Sequence, residues 1–288
     1  MPARTPDGPP PPPTVQRLRV RFAKRGRLRF TSHRDFQRAW ERALRRAGVP
    51  MAYSAGFSPH PKVSYAGAAP TGAASEAEYL EIGVAEHCDP ERLRAALDAC
   101  LAPGLDVLEI VEARSGSLVE RLEASVWRVE LDGVDDAELA SAVAAFLAAD
   151  RVEVQRMMKN GLRTFDAREA VVALRAVTAG GVPVTDAPIA QRDVKGPCAI
   201  LEVVVRHLTP AVRPDDVLTG LRLVADLVPP SPPVVTRLAQ GPLDLQAGIV
   251  GDPLVDDRAT LTTSNGAPGE SATGTEPLPA SGFSSATR

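Results

Sequence analysis

The sequence predicts an α+β protein built from two tandem ferredoxin-like (βαββαβ) units with disordered tails at both ends. Three observations predict it. Period-two alternation and apolar stripes at helical spacing recur in the same order twice, across 16–113 and 124–240. The chain has 288 residues, 44% of them apolar, which is room for two cores. Both ends change composition: prolines run from 9 to 13, and from 246 onward Gly, Ser, Thr, Pro and Ala dominate. The expected divisions are a Pro-rich leader over 1–14, a basic domain over 15–114, a second domain over 115–245 and a tail over 246–288.

In the first unit, Leu18, Val20 and Phe22 alternate with Arg17, Arg19 and Arg21. That is a strand over 16–23 with arginines on a wet face. Lys24-Arg25-Gly26-Arg27 reads as a turn, with an extended return near 27–31. Thr31-Ser32 offers an N-cap, with Asp35 three residues after Ser32. Phe36, Trp40, Ala43, Leu44 and Ala47 then recur at helical spacing, which predicts a helix over 32–47 ended by Gly48 and Pro50. Strands near 62–67 and over 78–85, a helix over 89–101 opened by Asp89-Pro90, and a strand over 105–113 complete the unit.

The second unit repeats the order. It reads as strand 124–131, helix 135–149, strands 151–158 and 162–166 around an Asn160-Gly161 turn, strand 198–207, helix 213–227 and strand 234–240. Segment 177–197 has no periodicity and reads as a long loop.

Charge is the main functional signal. Residues 15–62 hold thirteen Lys/Arg against Asp35 and Glu41, so this stretch is +11 in a chain of −3, and the remainder is −14. Such asymmetry predicts a basic face for a polyanion. Arg34, Arg38, Arg42, Arg45 and Arg46 form a stripe beside the apolar one, where like charges four apart repel unless something compensates. A solvated charged surface is the plain alternative. Lys24, Arg25 and Arg27 extend the patch.

The loop after the helix adds aromatic character. Pro59 and Pro61 fix the backbone around His60, with Phe57 and Lys62 close by. Rings interleaved with basic side chains suit single-stranded RNA. The expected nucleic-acid-binding set is therefore Lys24, Arg25, Arg27, Arg34, Arg38, Arg42, Arg45, Arg46, Phe57, His60 and Lys62. A further possible site comprises His33 and Asp35, and Arg163, Asp166 and Arg168 of the second unit; for the latter three a solvated hairpin edge is an equal reading.

Three motifs carry a family resemblance. They are Ser32-His33-Arg34-Asp35-Phe36, the run Tyr53 to Lys62, and Pro70-Thr71-Gly72 through Ser75-Glu76-Ala77-Glu78-Tyr79. They resemble a family that occurs at the C-terminus of some cobalamin-binding radical-SAM proteins and as free-standing radical-SAM-associated proteins in actinobacteria. The resemblance covers roughly 15–240. It implies a link to RNA or to radical-SAM modification chemistry, and supplies no catalytic residue.

Other chemistries lack their motifs. Cys88, Cys100 and Cys198 have no spacing for an iron–sulfur cluster or structural zinc, and neither a metal nor another cofactor is expected. There is no phosphate-binding glycine loop, nucleophile elbow or HExxH. No apolar run reaches 18 residues, so no membrane span is expected. An odd cysteine count without a signal peptide points to the cytoplasm. The leading expectation is a non-enzymatic module that recognises RNA (tRNA or rRNA) for a radical-SAM or RNA-processing partner. The alternatives are a metal-independent endoribonuclease and a protein-interaction subunit with a basic docking face.

Overall fold

A computed structural model describes residues 11–114, 116–159, 161–177 and 196–258. One eight-stranded mixed sheet runs through both halves of the chain. Its strands are β1 (Gln16–Lys24), β2 (Val63–Ala66), β3 (Ala74–Val84), β4 (Leu105–Glu112), β5 (Ala124–Asp132), β8 (Val171–Val177), β9 (Cys198–Arg206) and β10 (Val234–Gly241). The order is β4-β1-β3-β10-β5-β9-β8, with β2 paired to β3. Within each half all neighbours are antiparallel. The halves meet where β10 runs parallel to β3, in register only at Thr236↔Ala74 and Arg237↔Ser75. A separate hairpin, β6 (Glu153–Met158) with β7 (Gly161–Asp166), stands off the main sheet.

Local chemistry explains the first half. Leu18, Val20 and Phe22 point into one layer and are buried there with Leu80 and Ile82 of β3. Helix α1 (His33–Arg46) supplies Phe36, Trp40, Ala43 and Leu44 to that core. Its N-cap is Ser32, whose Oγ accepts from the Asp35 backbone N–H at 3.2 Å. Asp35 in the first turn and Arg45 and Arg46 in the last complement the helix dipole. Helix α2 (Pro90–Asp98) is capped by Asp89, which accepts from the Arg92 N–H at 2.8 Å. The stretch Gly26–Phe30 is a 3-10 helix, not the extended return its alternation predicts.

In the second half, α3 (Asp136–Ala148) and α4 (Pro214–Ala225) share a core with β8 and β9. They pack so closely that a Cβ on Gly220 would lie 2.7 Å from the Phe146 ring, so glycine sets their approach. The expected strands 151–158 and 162–166 exist as β6 and β7 but pair only with each other. The place they were expected to take in the sheet belongs to β8, for which no strand was expected. Asn160, the leader over 1–10, most of the loop over 177–197 and the tail from 259 lie outside the described residues.

The stretch 246–258 is not tail. It contributes β12 (Ile249–Val250), paired with β11 (Leu243–Asp244), and a short helix α5 (Val255–Arg258). Leu254 is buried with Ala77, Tyr79 and Leu118. Asp257 is also buried and accepts from Arg19 Nη1 at 2.6 Å, Arg121 Nη1 at 3.2 Å and the Arg114 N–H at 3.0 Å. Arg19 therefore lies on a covered face, and the expectation of a wet arginine row on β1 fails there. Among the described residues no helix is long and apolar enough to cross a membrane.

The clasp predicts an acid response. Burial alone would raise the Asp257 carboxyl. The Arg114 N–H and the Arg19 and Arg121 guanidiniums outweigh that and hold it below its ordinary 3.8. A lowered native value means the stabilisation is present above about pH 3.8 and is lost as pH falls below it. Urea unfolding of wild type and Asp257→Asn across that range checks this: the gap between them should narrow on acidification. A gap independent of pH would contradict it.

Candidate nucleic-acid interface

Helix α1 turns its polar side to solvent. Arg34, Arg38, Arg42, Arg45 and Arg46 are all exposed on it. Among the described residues, the one ion pair on this side joins Arg38 to Asp35 at 3.8 Å, and Arg45 Nε donates to the Glu41 carbonyl at 3.2 Å. The stripe expected from spacing is thus present as an exposed cationic surface with little internal compensation. Arg27 is exposed on the 3-10 helix, and Arg29 lies over the Phe30 ring at 4.7 Å, with that ring 60% exposed.

The loop after α1 is held at its base and open at its tip. Ala52 N–H donates to Gly83 O and Lys62 N–H to Ala52 O, both at 2.8 Å, anchoring the loop to β3. Ser54 and His60 close it: the Ser54 N–H donates to the His60 carbonyl at 2.9 Å, and the His60 N–H to Ser54 Oγ at 3.0 Å. Phe57 at the tip is 69% exposed, and His60 is exposed as well. Lys62 is exposed, its Nζ donating to Thr14 Oγ1 at 2.8 Å. The His60 ring lies in solvent, so His60→Ala should change stability by less than about 0.5 kcal/mol. Phe57→Ala should do likewise and, if the loop stacks on RNA bases, should weaken RNA binding by about 1–3 kcal/mol. Thermal melts and fluorescence anisotropy check both; a clear drop in the His60→Ala melting temperature would contradict the exposed placement.

Two members of the expected set sit elsewhere. Lys24 is 5% exposed, with Nζ donating to the Ala69 and Pro70 carbonyls at 3.2 and 3.4 Å. Burial lowers its pKa, Glu78 opposes that, and Arg237 adds to it. Arg25 is tied to Glu76 and to Asp106, the latter at 2.7 Å. Neither offers a free charge to a polyanion: the bulge after Phe22 and the acidic residues of β3 and β4 claim both.

His33 and Asp35 stand at the start of α1. The His33 ring meets Tyr65 edge-on at 5.7 Å and lies near-parallel to Phe36 at 6.5 Å. It borders a cleft of ≈ 220 Å³ whose other walls include Lys24, Thr31, Phe36, Pro70 and Glu78. Glu78 is a residue the sequence reading missed. Its carboxylate is 3% exposed, accepts from the Ala69 N–H at 3.2 Å and pairs with the buried Arg237 of β10.

The second-unit candidates fall on a turn and on the free hairpin. Asp166 accepts from the Val152 and Arg168 N–H groups, each at 2.9 Å, and so closes a turn. Arg168 donates to the Val171 carbonyl at 3.1 Å. Arg163 is exposed on the free hairpin, opposite Arg156. The hairpin-edge reading fits these contacts. Among the described residues no cluster of His, Cys, Asp and Glu is placed to hold a metal ion.

No curated protein matches the chain. The sequence profile of a family described as "Uncharacterized protein conserved in bacteria (DUF2344)" matches residues 17–214, a span that holds α1, the loop after it and the His33 cleft, and the chain belongs to that family.

Proposed function

We propose that the chain is a non-enzymatic RNA-binding module. It recognises tRNA or rRNA for an RNA-modifying or translation-linked system, with a radical-SAM or RNA-processing protein as its partner. The observation that carries this reading is the exposed arginine stripe of α1, left almost without acidic neighbours in a chain that is acidic overall. A phosphate backbone supplies the missing counter-charge. Phe30, before α1 in the chain, and Phe57, in the loop after it, offer exposed rings for unstacked bases. We also read each half of the sheet as a ferredoxin-like unit, supported by the strand orders β4-β1-β3-β2 and β10-β5-β9-β8.

The His33 cleft supports a second reading, a metal-independent endoribonuclease in which His33 acts as general acid or base beside Lys24. Incubation with labelled cellular RNA in EDTA separates the readings. Retention without cleavage is the expected result. EDTA-resistant cleavage that His33→Ala abolishes would favour the enzyme. Neither binding nor cleavage would leave the arginine stripe as a docking face for an acidic protein.

A further inference from the structure

We propose that the cleft at the N-terminal end of α1 receives one unstacked nucleobase. This rests on the RNA-binding reading above and names the contact that reading lacks. The cleft, at ≈ 220 Å³, is smaller than the roughly 300–1,000 Å³ of sites for drug-sized ligands, which matches a single heterocycle.

Its floor holds two opposite charges that are both nearly out of water, Lys24 and Glu78. The ammonium has three N–H donors, of which two point at the Ala69 and Pro70 carbonyls. The carboxylate offers more lone pairs than the Ala69 N–H and Arg237 use. The lining of one cleft therefore carries a spare donor and spare acceptor capacity. The Watson–Crick edge of every base presents a donor beside an acceptor, which is the complementary pattern. The neighbouring chemistries fit less well. An anion would meet the Glu78 carboxylate, a metal cation would meet the Lys24 ammonium, and an apolar ligand would leave the remaining donor and lone pairs unused.

The walls suit a flat ring. Phe36 lines the cleft and the exposed His33 imidazole stands at its mouth, near-parallel to Phe36. Stacking of this kind is tolerant of sequence and favours the larger purine ring. The mouth also lies at the correct end of the cationic surface. His33 immediately precedes Arg34, the first arginine of the stripe, so a strand whose phosphates follow α1 ends with a base at the cleft.

Free nucleosides separate this pocket from the arginine stripe, because they carry no phosphate. Saturation-transfer NMR of adenosine, guanosine and uridine with the full chain is the experiment. The purine nucleosides should bind more strongly than uridine. Their signals should persist from about 50 to 500 mM salt, where phosphate contacts weaken steeply. They should also survive Arg38→Glu/Arg42→Glu/Arg45→Glu. Ala68→Phe, which places a ring at an exposed position of the cleft lining, should weaken them by roughly tenfold or more. Thr71→Phe blocks the same mouth and serves if the first variant melts early. No nucleoside binding to wild type, or equal binding to both blocked variants, would overturn the proposal. Nucleoside binding without oligonucleotide binding would keep the pocket and sink the RNA-face reading instead.

Discussion

Arg237→Met should destabilise the protein by about 3–5 kcal/mol, because it breaks a buried ion pair by removing one partner. Arg237 is 3% exposed and most of its guanidinium bonds reach the other half of the chain. It donates to Ser75 Oγ at 3.2 Å and to the Gly67 carbonyl at 2.6 Å, and it pairs with Glu78. Its charge also lies 5.4 Å from the Trp127 ring. Gln240, three residues further along β10 and past a register shift, donates to the Ala77 carbonyl at 2.7 Å. These side-chain bonds reinforce a junction where backbone register links β3 and β10 at only two residue pairs. Gly67 belongs to the same joint: its φ is +56° and a Cβ there would come within 2.5 Å of Gln240 Oε1.

Removing Arg237 strands the Glu78 carboxylate in the interior, with the Ala69 N–H and the nearby Lys24 as what remains. At about 2–4 °C per kcal/mol for a chain of this size, the melting midpoint should fall by roughly 6–20 °C. The double variant Arg237→Met/Glu78→Met should recover part of the loss, since no carboxylate is left stranded, although Lys24 then keeps only its two carbonyl partners. Urea unfolding of the single and double variants measures both. A single-variant loss under about 1 kcal/mol would show that the junction does not depend on this pair.

Charge reversal on α1 should have the largest effect on binding. Arg38, Arg42 and Arg45 are exposed and lie off the Phe36–Trp40–Ala43–Leu44 stripe, so their replacement by Glu leaves the core intact. Each reversal removes one phosphate contact and adds a repulsion. We expect RNA affinity to fall by about 100-fold or more near 0.1 M salt, with the melting temperature nearly unchanged. Arg92→Glu, an exposed position on α2, is the control and should bind as wild type does. The control reverses one charge and the triple variant three, so a control loss of about one third of the triple variant's in log affinity would mean that net charge, not this face, sets affinity.

Much of the first half was legible because its signals are local. Ser32 with Asp35, Asp89 with Pro90, and the alternation in β1 each fix a neighbour within a few residues. What escaped is long-range. Arg19 reads as solvent-facing until Asp257, far along the chain, is seen to cover it. The sequence around 246–258 is poor in large apolar residues, yet Leu254, the buried Asp257 carboxylate and the Arg258–Glu109 pair dock it.

In the second half, β6 and β7 have good strand patterns and claimed a place in the sheet that pairing gives to β8. The short run Val171–Val177 follows a turn held by Asp166 rather than by Gly or Pro, so no boundary signal announces it. The arginine stripe was visible as spacing, and it is exposed as expected. Lys24 and Arg25 differ from the stripe in a way charge alone does not reveal: Glu76, Asp106 and two carbonyls hold them. Glu78 was legible in principle. It falls in phase with Leu80 and Ile82, so the alternation of β3 already turns a carboxylate inward.

The most direct measurement is the salt dependence of RNA affinity, wild type against the triple variant. Anisotropy titrations between about 50 and 200 mM salt give the slope of log K against log salt. If the stripe holds phosphates, wild type should show a steep linear fall. Arg38→Glu/Arg42→Glu/Arg45→Glu should then reduce the magnitude of that slope by roughly 2, about 0.7 for each lost contact to a single strand. A wild-type affinity that does not change with salt, or identical slopes for the two proteins, would contradict an RNA interface on α1.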